Sequence, residues 1–363
     1  MTTSYMKGDS MAKRITWLIN DITLIGGVER VVCNLSNFFI QNGCSVRIVS
    51  LNSDSGTPHF NLSPKASIEH LGYPANQILE RKKLKDFLGN FLKDESDLSD
   101  ILITCHPWIA MPILQQKSLY RGRIISTEHA TWESYTRIRR ALNAFYYRRA
   151  DDFVVLTENA ASNYRAHGVK NPIVIPNIIT DFPKTTAPLS SKELIAAGRL
   201  AAIKGYDRLI QAIAMIRDDF SPWHLSIYGE GEEHDRLVDL IHQNHLEDLV
   251  SIERFTDELQ KKLHASSGFI VSSHSESFSL VTIEALANGL PVISFDIPAL
   301  REIDNSSNTI IFAEQDNIAD LASKIKQLIS SKLDKKQSEA SRKLAENYSL
   351  EKVGEKWLTL IDS

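Results

Sequence analysis

The chain has 363 residues, of which 43% are apolar and 24% charged, and its formal net charge is −4. The length favours two domains, and the composition is typical of a soluble globular protein rather than a disordered or membrane-embedded one. No apolar run reaches the ~18 residues that a membrane-spanning helix needs, and three widely spaced cysteines without a C-x-x-C pair argue against a disulfide framework or a cysteine metal site.

Charge is divided unevenly between the two halves of the chain. Residues 1–180 carry 21 Lys and Arg against 16 Asp and Glu, whereas residues 181–363 carry 20 against 29. This split indicates either that the halves face different partners or that two domains simply differ in composition. Residues 1–12 have no apolar signal core and are expected to form a disordered extension before the first strand.

Short β-branched runs alternate with longer amphipathic stretches along the chain, which is the pattern of βα units on parallel sheets. The first half has six strand candidates: RITWLI, SVRIVSL, SIEHL, DILITC, RIISTE and FVVLT. The second half has six more: ELIAA, HLSIYG, VSIER, GFIVSS, PVISF and TIIF. Six strands suffice for one doubly wound domain, so the sequence predicts an α/β protein with two Rossmann-like domains.

The domain boundaries are predicted from a segment rich in proline, serine and threonine, IPNIITDFPKTTAPLSSKE. The prediction is an N-terminal domain over 13–180, a linker over 181–192, a C-terminal domain over 193–346 and a last helix over 347–363. The first helix is predicted over VERVVCNLSNFFIQNG, where apolar residues recur every three or four positions.

Two positions in the first half are candidates for ligand contact at the ends of strands. Gly26 and Gly27 stand between the first strand and the first helix, where glycine lets the backbone approach an anion, although tight turns also use such pairs. Glu128 and His129 end the strand RIISTE, and a histidine there could hydrogen-bond a hydroxyl or move a proton. A purely structural histidine is the alternative, and His106 is a weaker candidate of the same kind.

Two basic segments of the first half have apolar residues at helical spacing. YTRIRRALNAFYYRRADD carries five arginines: Arg137, Arg139, Arg140, Arg148 and Arg149. ILERKKLKDFLGNFL carries Arg81, Lys82, Lys83 and Lys85. Either the apolar stripes of both helices face the core and the charges are solvated, or these faces meet anionic lipid headgroups or the phosphates of a lipid-linked ligand.

Two segments of the second half place charged residues after predicted strands. IAAGRLAAIKGYDRL is strand, glycine loop and helix, and its cations Arg199 and Lys204 could neutralise a diphosphate. ESFSLVTIEALANG has Glu276 on a turn and Glu284 in the following helix, where its carboxylate could accept hydrogen bonds from a ribose diol. The helix start, at Phe278, Ser279 and Leu280, offers N–H groups to a phosphate.

Two other ligand classes are disfavoured by the sequence. Gly229-x-Gly231 follows a strand, but His234 occupies the third glycine position of a dinucleotide fingerprint and the loop is acidic, so a dehydrogenase is a poor interpretation. No D-x-D follows a strand end and no H-E-x-x-H occurs, so no metal site is predicted.

Taken together, these motifs resemble those of retaining family 4 glycosyltransferases with the GT-B fold. The pair Glu276 and Glu284 resembles the family's E-x7-E signature, and G-R-L-x-x-x-K-G resembles its diphosphate clamp. By this resemblance Glu276 contacts the donor sugar, Glu284 holds the ribose, and Arg199 and Lys204 bind the diphosphate. Ser279 departs from the glycine that the family often has after this phenylalanine, which puts the closest approach of the diphosphate in question.

The resemblance extends to the first half of the chain and to the tail. Gly26 and Gly27 match the family's glycine loop, and His129 matches the histidine beside the donor sugar. The family's two domains face a cleft, and its last helix returns to the N-terminal domain, as residues 347–363 are placed to do.

The implied activity is transfer of a hexosyl unit (galactose, glucose or N-acetylhexosamine) from a UDP-sugar to a hydroxyl of a glycan or polyprenyl-diphosphate-linked saccharide. The nucleotide-sugar is a substrate, and neither a cofactor nor a metal nor nucleic acid is implied. The resemblance places such an enzyme in the cytoplasm, peripheral at the inner face of an anionic membrane, in surface-polysaccharide synthesis. The alternatives are an epimerase or phosphorylase of the same fold, or a non-catalytic nucleotide-sugar-binding protein.

Overall fold

The computed structural model describes residues 13–74, 80–331 and 334–363, so the predicted extension over 1–12 lies outside the described residues. The chain divides into two compact units. Unit 1 takes the described residues up to Leu156, then Ala160–Ile175 and Gly354–Ser363, whereas unit 2 takes Thr157–Asn159 and Pro176–Val353. The division therefore falls before Pro176, and residues 181–192, the predicted linker, are counted within unit 2.

Unit 1 is built on a parallel sheet of seven strands in the order β3-β2-β1-β4-β5-β6-β7. Its strands are β1 (Arg14–Ile19), β2 (Ser45–Ser50), β3 (Ser67–His70), β4 (Ile101–Thr104), β5 (Arg123–Glu128), β6 (Asp152–Val155) and β7 (Ile173–Val174). The six predicted strands of this half are all present. The additional strand, β7, has two residues and lies between prolines, so it is too short to produce a periodic pattern.

Helices cover both faces of this sheet because successive side chains of a strand point to opposite sides. They are α1 (Gly27–Gln41), α2 (Arg81–Glu95), α3 (Pro107–Gln115), α4 (Arg137–Tyr147) and α5 (Glu158–Ala166). Leu18 of β1 belongs to the apolar core that α2, α3, α4 and α5 form on one face. The neighbouring Trp17 points to the other face and stacks on Phe39 of α1.

Unit 2 is built on a parallel sheet of six strands in the order β10-β9-β8-β11-β12-β13. Its strands are β8 (Glu193–Ala197), β9 (His224–Tyr228), β10 (Val250–Glu253), β11 (Gly268–Val271), β12 (Val292–Phe295) and β13 (Ile310–Ala313). Its helices are α6 (Tyr206–Met215), α7 (Arg217–Phe220), α8 (His234–Gln243), α9 (Leu259–Ala265), α10 (Leu280–Ala287), α11 (Pro298–Asp304), α12 (Ile318–Ser330) and α13 (Lys335–Ala345). Two parallel Rossmann-like sheets with flanking helices confirm the predicted fold class.

The strand order of each sheet reverses once, between β1 and β4 in unit 1 and between β8 and β11 in unit 2. At such a switch point the loops after two adjacent strands diverge to opposite faces of the sheet, which leaves a crevice outside their carboxyl ends. The loops after β8 and β11 contain the predicted diphosphate clamp and the predicted glutamate turn.

The last helix, α14 (Leu350–Asp362), is counted with unit 1 from Gly354 onward. Trp357 is buried, with its ring centroid 6.0 Å from that of Trp17 and 6.2 Å from that of Phe39. Gly354 leaves room for Phe38, whose ring would lie 2.5 Å from a Cβ at that position. The helix therefore covers the face of the unit 1 sheet that α1 also covers. None of the described helices is both long and apolar enough to span a bilayer.

We expect Trp357→Ala to destabilise unit 1 strongly, because it removes a buried indole that packs against two other aromatic rings. Loss of a buried aromatic side chain costs about 3–5 kcal/mol of unfolding free energy. The measurement is guanidinium unfolding followed by circular dichroism. Lys356→Ala, at an exposed position of the same helix, serves as the control and should have almost no effect. Equal stability of the two variants would contradict this packing.

Candidate active site

Two charged residues predicted from the sequence meet at the switch point of unit 2. Lys204 lies in the loop after β8 and Glu276 in the turn after β11, and their Nζ and Oε1 atoms are 2.7 Å apart. The Ser273 hydroxyl donates a second hydrogen bond to the same carboxylate oxygen, at 2.6 Å. The sequence motifs assign Lys204 and Glu276 to different parts of a ligand, whereas the structure joins them in one ion pair.

The loop that carries Lys204 is held by its own backbone and by the neighbouring strand. Gly205 has a φ of 61°, and a Cβ there would lie 2.3 Å from the Ser272 carbonyl oxygen, so only glycine fits. The Ser272 hydroxyl donates to the Lys204 carbonyl oxygen at 2.9 Å. The glycine that follows the lysine therefore allows close approach to β11 and sets the position of the ammonium group.

Arg208, near the start of α6, holds this loop against the end of β11. It was not identified from the sequence. Its guanidinium donates to the Ser272 carbonyl oxygen and to Asp316, and it lies 4.3 Å from the centroid of the Phe295 ring. Burial lowers its pKa, but an arginine remains charged at any physiological pH. Hydrophobic periodicity could not have predicted this role, because it counts every arginine of a helix as a solvent-facing position.

Arg199, the other predicted cation of the clamp, is exposed at the carboxyl end of β8. Within the part of the chain that the structure describes, its guanidinium has no hydrogen-bond or ion-pair partner. Its loop packs on the Gly229-x-Gly231 turn, where a Cβ on Gly229 would lie 2.0 Å from the Gly198 carbonyl oxygen. The G-x-G element is thus a structural turn that supports the arginine loop.

Ser279, which departs from the glycine of the family pattern, stands at a backbone position that suits glycine better than serine. Ser279 caps the helix with φ 76° and ψ 79°, a left-handed conformation that favours glycine. Its hydroxyl is 2.7 Å from that of Thr282. Phe278 is buried, with its ring 5.4 Å from that of Tyr348, so only its backbone is available to a ligand. Leu280 is the first residue of α10, whose leading N–H groups have no intrahelical acceptor.

The remaining predicted donor contact, Glu284, lies in the second turn of α10 and is only 1% exposed. One pocket is lined by Lys204, Tyr206, Ser273, Glu276 and Ser279 together, and neither Arg199 nor Glu284 lines it. The structure therefore gathers three of the predicted donor residues and adds Tyr206. Burial and the nearby Glu276 charge raise the pKa of this tyrosine, so its hydroxyl stays neutral.

The glycines of the predicted loop in unit 1 lie at the start of α1, where the structure leaves no space for a side chain on Gly26. Gly26 is the N-cap of α1 and Gly27 its first residue, so the second glycine lies within the helix rather than in the loop. A Cβ on Gly26 would lie 2.2 Å from Oε2 of Glu29, a carboxylate not identified from the sequence. Glu29 is buried in the first turn of α1, and this burial raises its pKa. The glycine leaves room for an acid at the positive end of the helix.

His129 follows β5 and is held in one orientation by Thr127. Its Nε2 is 3.0 Å from the Thr127 hydroxyl, which itself donates to the Thr104 carbonyl oxygen at 3.1 Å. This arrangement assigns the proton to Nε2 and leaves Nδ1 as an acceptor with no hydrogen-bond partner among the described residues. Burial, with a contribution from His106, lowers the pKa of His129 to about 3. The imidazole is therefore neutral and suited to accept a hydrogen bond from a hydroxyl.

Glu128, next to His129, has no access to a ligand because it lies within a shell of tyrosines. Its carboxylate accepts hydrogen bonds of 3.0–3.1 Å from the hydroxyls of Tyr135, Tyr147 and Tyr164 and from the Ala130 N–H. Burial raises its pKa even though these donors favour the charged form. The network ties α4 and α5 to the end of β5, and thus fixes the backbone that positions His129.

The two predicted basic helices differ in where their apolar stripes point. In α2 the stripe faces the core, since Leu84, Leu88 and Phe91 are buried. In α4 the stripe is divided: Ile138 is 76% and Phe145 53% exposed, whereas Tyr146 is half-buried and packs against the core. The core-facing side of α4 is instead Asn143, Ala144 and Tyr147. Ordinary core packing thus accounts for α2, whereas in α4 it leaves Ile138 and Phe145 exposed.

The five predicted arginines of α4 do not form one set. Arg140 donates to the carbonyl oxygens of Trp132 and Glu133 and lies over the Trp132 ring, and Arg148 donates to the His167 carbonyl oxygen. These two guanidinium groups thus also brace unit 1, and the role of the five arginines at an anionic surface stays a prediction. Arg137 and Arg149 are exposed, and Arg139 is half-buried.

Among residues 13–74, 80–331 and 334–363, no three His, Cys, Asp or Glu side chains lie together as a metal site. The absence of a metal requirement stays a prediction.

Two family models match consecutive parts of the chain. The model described as Glycosyltransferase Family 4 matches residues 25–181, and the model described as Glycosyl transferases group 1 matches residues 177–347. The first covers the sheet of unit 1, and the second covers the sheet of unit 2 with its switch point.

Relatives of known sequence match along almost the full length. An "Uncharacterized glycosyltransferase" of Haemophilus influenzae is 28% identical over 95% of this chain and 99% of its own. The amylovoran biosynthesis glycosyltransferase AmsD of Erwinia amylovora is 27% identical over 95% of this chain and 98% of its own.

Solved structures of glycosyltransferases share the fold. Sucrose-phosphate synthase of Thermosynechococcus elongatus superposes with a TM-score of 0.82 at 18% identity, over 96% of this chain and 98% of its own. A mutant of TarM from S. aureus, solved with UDP, superposes with a TM-score of 0.79 at 17% identity, over 97% of this chain and 100% of its own. With the two family models in succession, two doubly wound sheets and full-length glycosyltransferase relatives, the chain belongs to the family 4 glycosyltransferases of the GT-B fold.

Proposed function

We propose that the protein is a retaining, metal-independent hexosyltransferase that uses a UDP-sugar to glycosylate a hydroxyl of a glycan or lipid-linked saccharide. The observation that carries the proposal is the meeting of Lys204 and Glu276 in one pocket at the switch point of unit 2. A cation for a diphosphate and a carboxylate for sugar hydroxyls are thereby adjacent, where ligands bind in such sheets.

The charged residues of unit 2 have separate roles in this reaction. As the bond between the sugar and the diphosphate breaks, negative charge develops on the leaving oxygen, and Arg199 and Lys204 stabilise it. Glu276 orients the sugar. Glu284, which is buried and does not line the pocket, is assigned the ribose by family resemblance alone. The N–H groups at Phe278, Ser279 and Leu280 receive phosphate oxygens. The electrostatic work that a metal would do falls to these protein groups.

The unit 1 residues are assigned by family resemblance together with local geometry. His129 presents an acceptor nitrogen suited to a sugar hydroxyl, and Gly26 and Gly27 provide a closely approachable backbone at the start of α1.

The choice of UDP and of surface polysaccharide as product rests on relatives. AmsD is named for amylovoran biosynthesis, and TarM has been solved with UDP. HepE of Anabaena, which superposes on this chain with a TM-score of 0.74 at 15% identity, has been solved with UDP and with UDP-glucose. Other relatives are named as a poly(glycerol-phosphate) glucosyltransferase and a poly(ribitol-phosphate) N-acetylglucosaminyltransferase. We infer that this chain likewise extends a surface glycan.

We infer further that the protein acts from the cytoplasm at an anionic membrane surface, docked through α4. The exposed Ile138 and Phe145 would enter the headgroup region, flanked by Arg137 and Arg149. A lipid-linked acceptor, such as a polyprenyl-diphosphate saccharide, is held at that surface. Basic residues near an anionic surface contribute roughly 1 kcal/mol each, so this attachment is reversible.

The activity is tested with a panel of UDP-, GDP- and ADP-sugars, with and without a saccharide acceptor, in excess chelator. We expect UDP release that depends on the acceptor and persists in chelator, and a product whose anomeric configuration by NMR equals that of the donor. Release without any acceptor, or formation of an isomeric UDP-sugar, would instead indicate a hydrolytic or epimerase activity. Binding of UDP without turnover of any sugar would indicate a non-catalytic module. Rescue by magnesium or manganese of an activity lost in chelator would contradict metal independence.

Arg199→Ala should lower kcat/KM about thirtyfold, because charge-assisted contacts to a leaving group are worth ~2 kcal/mol. Its thermal midpoint should not change, since the guanidinium is exposed and has no partner within the described residues. Arg217→Ala, an exposed arginine on α7 at the opposite edge of the sheet, is the matched control and should retain full activity. Equal activity of both variants would remove Arg199 from the clamp.

Membrane docking is tested by sedimentation with liposomes of phosphatidylglycerol and phosphatidylcholine. The protein should pellet at low salt and be released as ionic strength rises. The double variant Arg137→Glu, Arg149→Glu should lose this binding. The matched variant Arg81→Glu, Lys82→Glu, which changes the charge of α2 equally, should keep it. Loss in both variants would indicate a diffuse charge effect, and a wild-type protein that ignores these liposomes would contradict docking.

A further inference from the structure

The Lys204–Glu276 ion pair joins two residues that a donor would need separately. The Lys204 ammonium is the group expected to meet the diphosphate, and the Glu276 carboxylate is the group expected to meet the sugar. Their side chains bond to each other directly, at 2.7 Å. A diphosphate that approaches Lys204 therefore meets a lysine that already has an anionic partner.

This pair is better shielded from water than a surface ion pair. The Glu276 side chain is 9% and the Lys204 side chain 26% exposed. A carboxylate that has lost most of its hydration depends on its bonded partners, which here are Lys204 and the Ser273 hydroxyl. The coupling between the two charges is correspondingly larger than that of an exposed pair.

The backbone around the pair is held in place, so the contact does not depend on two mobile side chains finding each other. The Ser272 hydroxyl bonds the Lys204 carbonyl oxygen, and the His274 N–H donates to the Ile203 carbonyl oxygen at 2.8 Å. Two cross-links thus tie the loop after β8 to the turn after β11. What can move is the ammonium group at the end of its four-carbon chain.

The two cations of the predicted clamp consequently differ. Arg199 is exposed and has no anionic partner among the described residues, whereas Lys204 is already paired. We propose, building on the donor site described under the proposed function, that the Glu276 carboxylate competes with the donor diphosphate for Lys204. Binding of the diphosphate transfers the ammonium from carboxylate to phosphate, and Glu276 Oε1 then accepts a hydrogen bond from the donor sugar instead.

This exchange predicts opposite changes in diphosphate affinity and in turnover when Glu276 is neutralised, which a merely structural role for Glu276 does not predict. Removal of the carboxylate charge frees Lys204 for phosphate, so a nucleoside diphosphate without a sugar binds more tightly. Turnover falls in the same variant, because the sugar loses the group that orients it. Damage to the loop would weaken binding and turnover together.

The experiment is calorimetric titration of UDP into wild-type protein and into Glu276→Gln, which keeps the shape of the side chain. We expect UDP to bind the variant about fivefold more tightly, which corresponds to about 1 kcal/mol. Inorganic pyrophosphate should likewise bind Glu276→Gln more tightly than wild-type protein. Glu258→Gln is the matched control. It removes one carboxylate from an exposed ion pair, Glu258 with Lys261, and should leave UDP affinity unchanged.

A double-mutant cycle with Lys204→Met separates competition from simple repulsion. If Glu276 acts through Lys204, the gain from Glu276→Gln disappears in the Lys204→Met background. A gain of the same size in both backgrounds, or no gain in wild type, would overturn the proposed exchange while leaving the glycosyltransferase site intact. If wild-type protein binds none of UDP, GDP and ADP, the donor site itself is wrong, and the exchange falls with it.

Discussion

The carboxyl ends of parallel strands share one edge of a sheet, and this constraint brings the candidate site together. Because β8 and β11 are neighbours at the point where the strand order reverses, Lys204 and Glu276 meet although 72 residues separate them in the chain. The contact also requires close approach of the two loops. Gly205 permits this approach because it has no side chain, and Arg208 stabilises it by a hydrogen bond to the Ser272 carbonyl oxygen. The site is thus a product of strand order, with the charged side chains placed by small residues and backbone contacts around them.

Buried charge in both units is stabilised by dedicated partners. In unit 1 three tyrosines and a backbone N–H surround Glu128. In unit 2 the guanidinium of Arg208 donates hydrogen bonds to a carbonyl oxygen and a carboxylate and lies over an aromatic ring. Each network satisfies a group that would be costly to bury alone, and each fixes a segment beside a predicted site residue. His129 and Lys204 therefore have rigid surroundings even though both lie on loops.

Two helices of similar composition show how burial separates structure from a binding surface. In α2 the apolar stripe completes the core of unit 1, and its lysines are left to solvent. In α4 the core takes Asn143, Ala144 and Tyr147, the last of which donates a hydrogen bond to Glu128, so part of the apolar stripe remains exposed. The tyrosine bond to a buried acid sets the rotation of α4, and that rotation exposes Ile138 and Phe145.

The sequence by itself determined the twelve longer strands and the helix at α1, because hydrophobic periodicity and glycine stops are local signals that the fold must satisfy. It also proposed Arg199, Lys204, Glu276 and Glu284 as donor contacts through their resemblance to family motifs, and of these Lys204 and Glu276 line one pocket. Only the tertiary structure decided that Lys204 bonds Glu276, that Ser279 is left-handed, that Arg140 and Arg148 contact backbone carbonyl groups, and that Ile138 and Phe145 of α4 are exposed. These properties depend on which strands are neighbours and on how each helix is rotated, and contacts between distant segments of the chain set both.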